Sequence, residues 1–229
     1  MRFGNMAPMP TVSKNILYIN IGAFVLTYIF ASRGIDLIEI LGLHYFNSPY
    51  FKPVQIFTYQ FLHGGLMHIL LNMYGLYIFG SQLERVWGEK KFLFFYLFCV
   101  AGSAIFIFAI DAFNVYKITG FINPLGKIEE IPRSVIEIYS KVTIGASGAI
   151  MGLLAAFATL FPNTEMMIIP FPVPIKTKYL AIGYGVIEVY LGIANRSNDN
   201  IAHFAHVGGL LFGFFLVLYW NKTNRKTFY

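Results

Sequence analysis

The sequence predicts an all-α membrane protein built as a bundle of six transmembrane helices, and three observations carry that reading. Of the 229 residues, 57% are hydrophobic and only 12% are charged, roughly half the charged fraction of an average soluble domain. The mean hydropathy is +0.62. The apolar residues gather into runs that approach the roughly 20 residues a helix needs to cross a hydrocarbon core.

The candidate spans, in order, are Ile16 to Ala31, Leu66 to Gln82, Phe92 to Ile110, Thr143 to Phe161, Tyr179 to Ala194 and Ile201 to Trp220. Pro49, Pro53, Pro124, Pro132, Pro162, Pro170, Pro172 and Pro174 all fall between them, where a missing N–H breaks nothing. The first run follows a stretch with two prolines and has no small-residue cleavage site after a short apolar core, so it reads as a retained span. The whole of 1–229 reads as one membrane domain, its core about 16–220, with short tails at either end.

Orientation follows from the cations. With the N-terminus inside, Arg2, Lys14, Arg85, Lys90, Lys91, Lys176, Lys178, Lys222, Arg225 and Lys226 are cytoplasmic, leaving seven of the 17 Lys and Arg outside. That bias puts both termini on the cytoplasmic side. The net charge of +6 is scattered between apolar runs, which fits a chain anchored in lipid and excludes nucleic acid as the partner. Cys99 is the single cysteine, so disulfides and cysteine-based zinc sites are excluded. Two connections look structured. Ser32 to Leu62 carries apolar and aromatic side chains suited to packing at the outer leaflet, among them Tyr45, Phe46, Tyr50, Phe51, Ile56, Phe57 and Tyr59, and Asp111 to Val142 alternates charges with Ile and Tyr.

Polar groups inside a span are costly and usually face a cavity or one another. The second span opens HGGLMHILLNMYG, the fourth TIGASGAIMG and the sixth IAHFAHVGGLLFG. All three run inward from the outer face, which places His68, Ser147 and His206 within roughly 3 to 8 Å of the outer boundary. Asn72 stands one turn below His68 on the same face.

The residue types fit acyl transfer. Ser147 lies between Gly145 and Gly148, and a histidine at matching depth is suited to take its proton. His68, Asn72 and the Ser147 amide suit an oxyanion. Small residues at Gly148-x-x-x-Gly152 and Gly209-x-x-x-Gly213 let the fourth and sixth helices approach. Read singly, each motif has another explanation. A serine between glycines is commonly a packing residue, and His63, His68, His203 and His206 also suit a metal, a haem or proton transfer. There is no His-Glu-x-x-His pattern, and no carboxylate stands near these histidines in sequence, which argues against a zinc protease. Glu188, alone in the fifth span, reads as a hydrogen-bonded helix contact ahead of a gating or tuning residue.

Taken together, His68-x-x-x-Asn72, Gly145-Ala146-Ser147-Gly148, Ala205-His206-Val207-Gly208-Gly209 with Gly213, and Leu83-Glu84-Arg85 with Gly88 resemble the rhomboid family of intramembrane serine proteases, over about residues 16 to 220. The resemblance implies a six-helix core and a Ser147–His206 dyad without a third carboxylate. It assigns His68, Asn72 and the Ser147 amide to the oxyanion, and needs no cofactor. It implies transmembrane protein substrates cut near the outer membrane boundary. His203 would be a packing or hydrogen-bonding neighbour and His63 a structural residue at the mouth of the second helix. Two positions depart from the family pattern. Met151 stands where an aromatic ring often supports the catalytic histidine, and Val54-Gln55 replaces a Trp-Arg pair in the first outer loop, which leaves that loop without its expected anchor. The competing readings are a catalytically inactive relative that binds membrane clients, and a small transporter, for which neither inverted repeats nor midplane charges beyond Glu188 are found. The compact chain points to a bacterial or archaeal plasma membrane.

Overall fold

The computed structural model describes residues 8–168, 171–194 and 202–223. The expected start of the sixth span at Ile201, Pro170, and the cations Arg2, Arg225 and Lys226 lie outside the described residues. The first helix, α1 (Thr11–Ala31), starts after Pro10 and takes its cap from far along the chain. The carboxylate of Glu84 accepts the Val12 N–H at 2.8 Å, the Ser13 N–H at 2.7 Å and the Ser13 hydroxyl at 2.6 Å. The two N–H groups are orphan donors of the first turn, and a carboxylate there also complements the helix dipole. Asp36 caps the short α2 (Leu37–Leu41). After α3 (Gln55–Thr58) comes α4 (Leu66–Gly75), which passes through one π turn at Leu76–Gly80 into α5 (Ser81–Trp87). The long α6 (Glu89–Thr119) ends on left-handed Gly120. Then follow α7 (Arg133–Ser140), α8 (Ser147–Leu160), the antiparallel pair β1 (Glu165–Ile168) and β2 (Phe171–Lys176), α9 (Thr177–Ala194) and α10 (His203–Thr223).

Three of these helices, α1, α6 and α10, are long and apolar enough to cross a membrane. The chain is therefore a mostly helical membrane protein, but several of the expected spans change. The second span is not one uninterrupted α-helix. The third runs on past Asp111 to Thr119. The fourth loses its first turn and keeps 14 residues, about 21 Å at 1.5 Å per residue. Between the fourth and fifth lies a two-stranded ladder that an all-α reading did not contain, with Glu165 opposite Lys176 and Pro174 opposite Met167. A lone two-stranded ladder has an outward side on which a proline costs no hydrogen bond.

The core is built from α6, α8 and α10, each packed against the other two, with α10 in extensive contact with both α8 and α6. Phe92, Phe95, Tyr96 and Cys99 of α6 and Leu153 of α8 are all at most 1% exposed. Glycines set the approach of α10 to α8. A methyl group on Gly209 would fall inside the Gly148 carbonyl, and one on Gly213 would stand 2.7 Å from the Cα and carbonyl oxygen of Gly152. The small-residue spacings read from the sequence thus mark backbone-to-backbone contact. Large apolar side chains cover the periphery instead, among them Ile182, Val186 and Ile193 on α9.

The connections are built into the molecule. Leu43 and Thr143 exchange both backbone hydrogen bonds at 2.9 Å, and Tyr59 accepts the Gly145 N–H at 3.0 Å. Those bonds hold 143–145 extended, which is why the fourth helix starts at Ser147 and not at Thr143. Gln55, fully buried, anchors the first loop. Its amide N–H groups donate to the Ile40 and Tyr50 carbonyls at 3.2 Å, and its oxygen accepts from Lys52 N–H at 3.1 Å and His44 N–H at 3.4 Å. A second small core of Tyr45, Val115, Val135 and Tyr139 joins that loop to α6 and α7. Its burial pushes the Tyr45 hydroxyl up to about 12.

Candidate active site

Ser147 is the first residue of α8. The chain reaches it through Gly145, whose φ of +113° lies in the left-handed region, where a side chain would be strained. A Cβ at Gly145 would also stand 2.7 Å from Nε2 of His68 and 3.7 Å from Oγ of Ser147. Gly145 therefore forms the floor between these two side chains, and only glycine leaves that space open.

His206, in the first turn of α10, brings Nε2 to 2.7 Å from Oγ of Ser147. The expected pair thus meets across 59 residues of sequence, and the glycine contacts of α8 with α10 are what permit it. Ser147 is half-buried while His206 is 8% exposed.

His68 lies in the first turn of α4. Gly64 N–H donates to its Nδ1 at 3.4 Å, which puts the ring proton on Nε2, the nitrogen facing the space above Gly145. Asn72 is buried one turn below and donates one amide N–H to the His68 carbonyl at 3.0 Å, keeping a second for another acceptor. The first N–H groups of α8, that of Ser147 included, have no intrahelical acceptors. Ser147 sits at the very start of its helix and not four residues in, as the expected span implied, so its amide is one of these.

Gly148 packs against the Ser103 side chain and Met151 lies one turn on, half-buried. His63 sits under His68, 1% exposed, with ring centroids 4.9 Å apart and edge to face. Burial and then the neighbouring His68 hold its imidazole down at about 4, against a smaller upward pull from the Phe61 backbone.

The residue whose place was not read from the sequence is Glu188. Its carboxylate, on the α9 face toward α10, lies 2.6 Å from Nδ1 of His203 through Oε2 and 3.0 Å from Nδ1 of His206 through Oε1. The first is a short hydrogen bond. The second is in contact range but oblique, off the line of a straight N–H···O bond. A carboxylate thus stands beside the imidazole where the resemblance implied none. The signal in the sequence was an ionisable residue within an apolar helix; its partner was hidden because only the packing of α9 on α10 decides it.

A family model described as Rhomboid domain matches residues 50–222. The chain is 30% identical over 175 residues to the Presenilin-associated rhomboid-like protein, mitochondrial, of Homo sapiens, covering 76% of this chain and 39% of that one. To Rhomboid protein 1, mitochondrial, of Saccharomyces cerevisiae it is 25% identical over 221 residues, 94% of this chain and 56% of that one. To RHOMBOID-like protein 6, mitochondrial, of Arabidopsis thaliana it is 26% identical over 163 residues, 71% and 42%. The chain spans about half or less of the length of these curated relatives. Their names place them in mitochondria and lend no support to the expectation of a bacterial or archaeal plasma membrane.

Proposed function

Because the chain belongs to the rhomboid family, we propose that it is an intramembrane serine endopeptidase that cuts transmembrane protein substrates near the outer boundary of the bilayer, within a bundle of six spans. The observation that carries this reading is the 2.7 Å contact between Oγ of Ser147 and Nε2 of His206. No cofactor enters the reaction, because serine and imidazole suffice for acyl transfer.

Oγ of Ser147 attacks the scissile carbonyl carbon as its proton passes to Nε2 of His206, and the carbonyl π pair becomes an oxyanion. Nε2 of His206 then gives that proton to the leaving amine as the C–N bond breaks, and water, deprotonated by the same nitrogen, releases the acyl group. The oxyanion falls to Nε2–H of His68, the second amide N–H of Asn72 and the N–H of Ser147 at the positive end of α8. Gly64 supports this assignment by fixing the His68 proton on the side that faces the reaction.

The test is labelling of the detergent-solubilised protein with a fluorophosphonate. Wild type is expected to label, and Ser147→Ala and His206→Ala are not. Absence of labelling in folded wild type would replace the protease with a client-binding relative of the same fold.

A further inference from the structure

Several features outside the Ser147–His206 contact invite a role. The α1 cap by Glu84 is fully accounted for by helix capping. The cavity of about 380 Å³ lined by Ile182, Val186, Val189, Val207 and Leu210 on α9 and α10 is apolar, and lipid tails account for it. Glu188 is different, because a helix contact requires one partner and Glu188 has two histidines, one of which touches Ser147.

We propose that Glu188 is the positioning residue of a Ser147–His206–Glu188 triad, with His203 holding the other carboxylate oxygen in place. The inference rests on the protease reading above. Nδ1 of His206 is 3.0 Å from Oε1 and its Nε2 is 2.7 Å from Oγ of Ser147, so the imidazole bridges carboxylate and hydroxyl through its two different nitrogens. A carboxylate only accepts, so the contact places the ring proton on Nδ1 and leaves Nε2 with the lone pair that must take the serine proton. When that proton arrives the imidazolium forms next to a fixed negative charge, in a part of the molecule where Glu188 is 6% exposed and His206 8%. Attraction between such charges is strong where water is scarce. Glu188 takes no proton in this cycle. The 2.6 Å bond from Nδ1–H of His203 to Oε2 immobilises the carboxylate and satisfies its second oxygen. Catalytic hydrogen bonds are often long or oblique before substrate binds and tighten in the complex, so the oblique His206 contact does not exclude the pairing.

Glu188, His203 and His206 together have the ligand types of a metal site. Their spacing argues otherwise. Ligand atoms of one tetrahedral ion at about 2.0 to 2.1 Å lie about 3.4 Å apart, whereas Nδ1 of His203 and Oε2 of Glu188 are 2.6 Å apart, the separation of a shared proton.

The test measures covalent labelling by a fluorophosphonate across probe concentrations, giving a maximal rate and a half-saturating concentration, with thermal unfolding in parallel. Glu188→Gln keeps the shape and one acceptor oxygen but removes the charge and turns an NH2 donor toward one of the two imidazoles. We expect its maximal rate to fall about tenfold or more at unchanged half-saturation and unchanged unfolding midpoint. Glu188→Ala is expected to fall by about 100-fold, within the range general-base defects produce, with Glu188→Asp recovering part of the loss by restoring the charge. Labelling of Glu188→Gln at the wild-type rate would overturn the proposal. So would a loss that tracks unfolding or appears only in half-saturation, since either assigns Glu188 to helix contact. If wild type itself fails to label, the protease reading falls first and this one with it; if only the Glu188 variants behave as wild type, the protease reading stands with a dyad.

Discussion

His63 lies three residues ahead of α4, 1% exposed, with its imidazole pressed edge to face on His68. Its value of about 4, against 6.5 for a free histidine, makes it a neutral residue in the folded protein at any pH near 7. The sign of the consequence is fixed by which state binds the proton. Between pH 6.5 and 4 the unfolded chain takes up a proton that the folded chain refuses, so stability falls as the pH drops through that window and levels off below it. The shift corresponds to a loss on the order of 3 kcal/mol at most. Unfolding midpoints of wild type and His63→Gln, measured from pH 7.5 to 4.5, are expected to diverge in slope, with the variant flatter. Parallel slopes would show that His63 is not the titrating group. Gln55 illustrates what a single residue hides from sequence. It read as a missing anchor for the first loop, and it is the anchor, because a buried amide satisfied on both sides does by four hydrogen bonds what the family's Trp-Arg pair was expected to do.

At the scale of elements, two glycines show how the same substitution changes sign with its surroundings. Gly209→Ala drives a methyl into the Gly148 carbonyl, a backbone atom with nowhere to go, so α10 must back away from α8. Overpacking of this kind costs about 1 to 3 kcal/mol, and because Ser147 begins α8 and His206 lies on α10, the 2.7 Å contact opens with it. Gly22→Ala on α1 meets nothing within 4 Å and gains up to about 1 kcal/mol of helix propensity. Thermal unfolding together with fluorophosphonate labelling is expected to show loss of both for Gly209→Ala and neither for Gly22→Ala; an unaffected Gly209→Ala would refute the close approach. The helices themselves were legible because apolar length is a property of consecutive residues. So was the meeting of Ser147 with His206, since their depth and the small-residue spacings are local. What was not legible is whatever depends on a distant segment. Thr143 to Gly145 are apolar enough to continue a helix but are drawn into extended bonding by Leu43 and Tyr59. Asp111 looked like the end of the third helix, yet the helix continues because Val115 has Tyr45, Val135 and Tyr139 to pack on.

Across the whole molecule, α4, α8 and α10 all begin at the candidate site, so His68, Ser147 and His206 occupy the first turns of three helices that start together. Around that end the surface is apolar, with Leu66 and Met67 on α4 and Tyr190 and Ile193 on α9 all more than 60% exposed. On the protease reading proposed above, a transmembrane substrate arrives from lipid as a helix, and its carbonyls are already accepting hydrogen bonds from their own backbone. On the same reading, Ser147 attacks a carbonyl carbon only after the local turn has opened, so the free energy of opening adds to the barrier in full. Replacing two leucines flanking the cut by glycine lowers that opening cost by about 0.8 kcal/mol each relative to a good helix former, and 1.36 kcal/mol is a factor of ten in rate. A model transmembrane peptide carrying the two glycines on its outer turn is thus expected to be cleaved about tenfold faster than its leucine parent by the reconstituted protein. The same pair placed at the bilayer centre is expected to change little. Equal cleavage of all three peptides would mean that substrate unwinding contributes nothing, and would require a substrate segment that reaches Ser147 already extended.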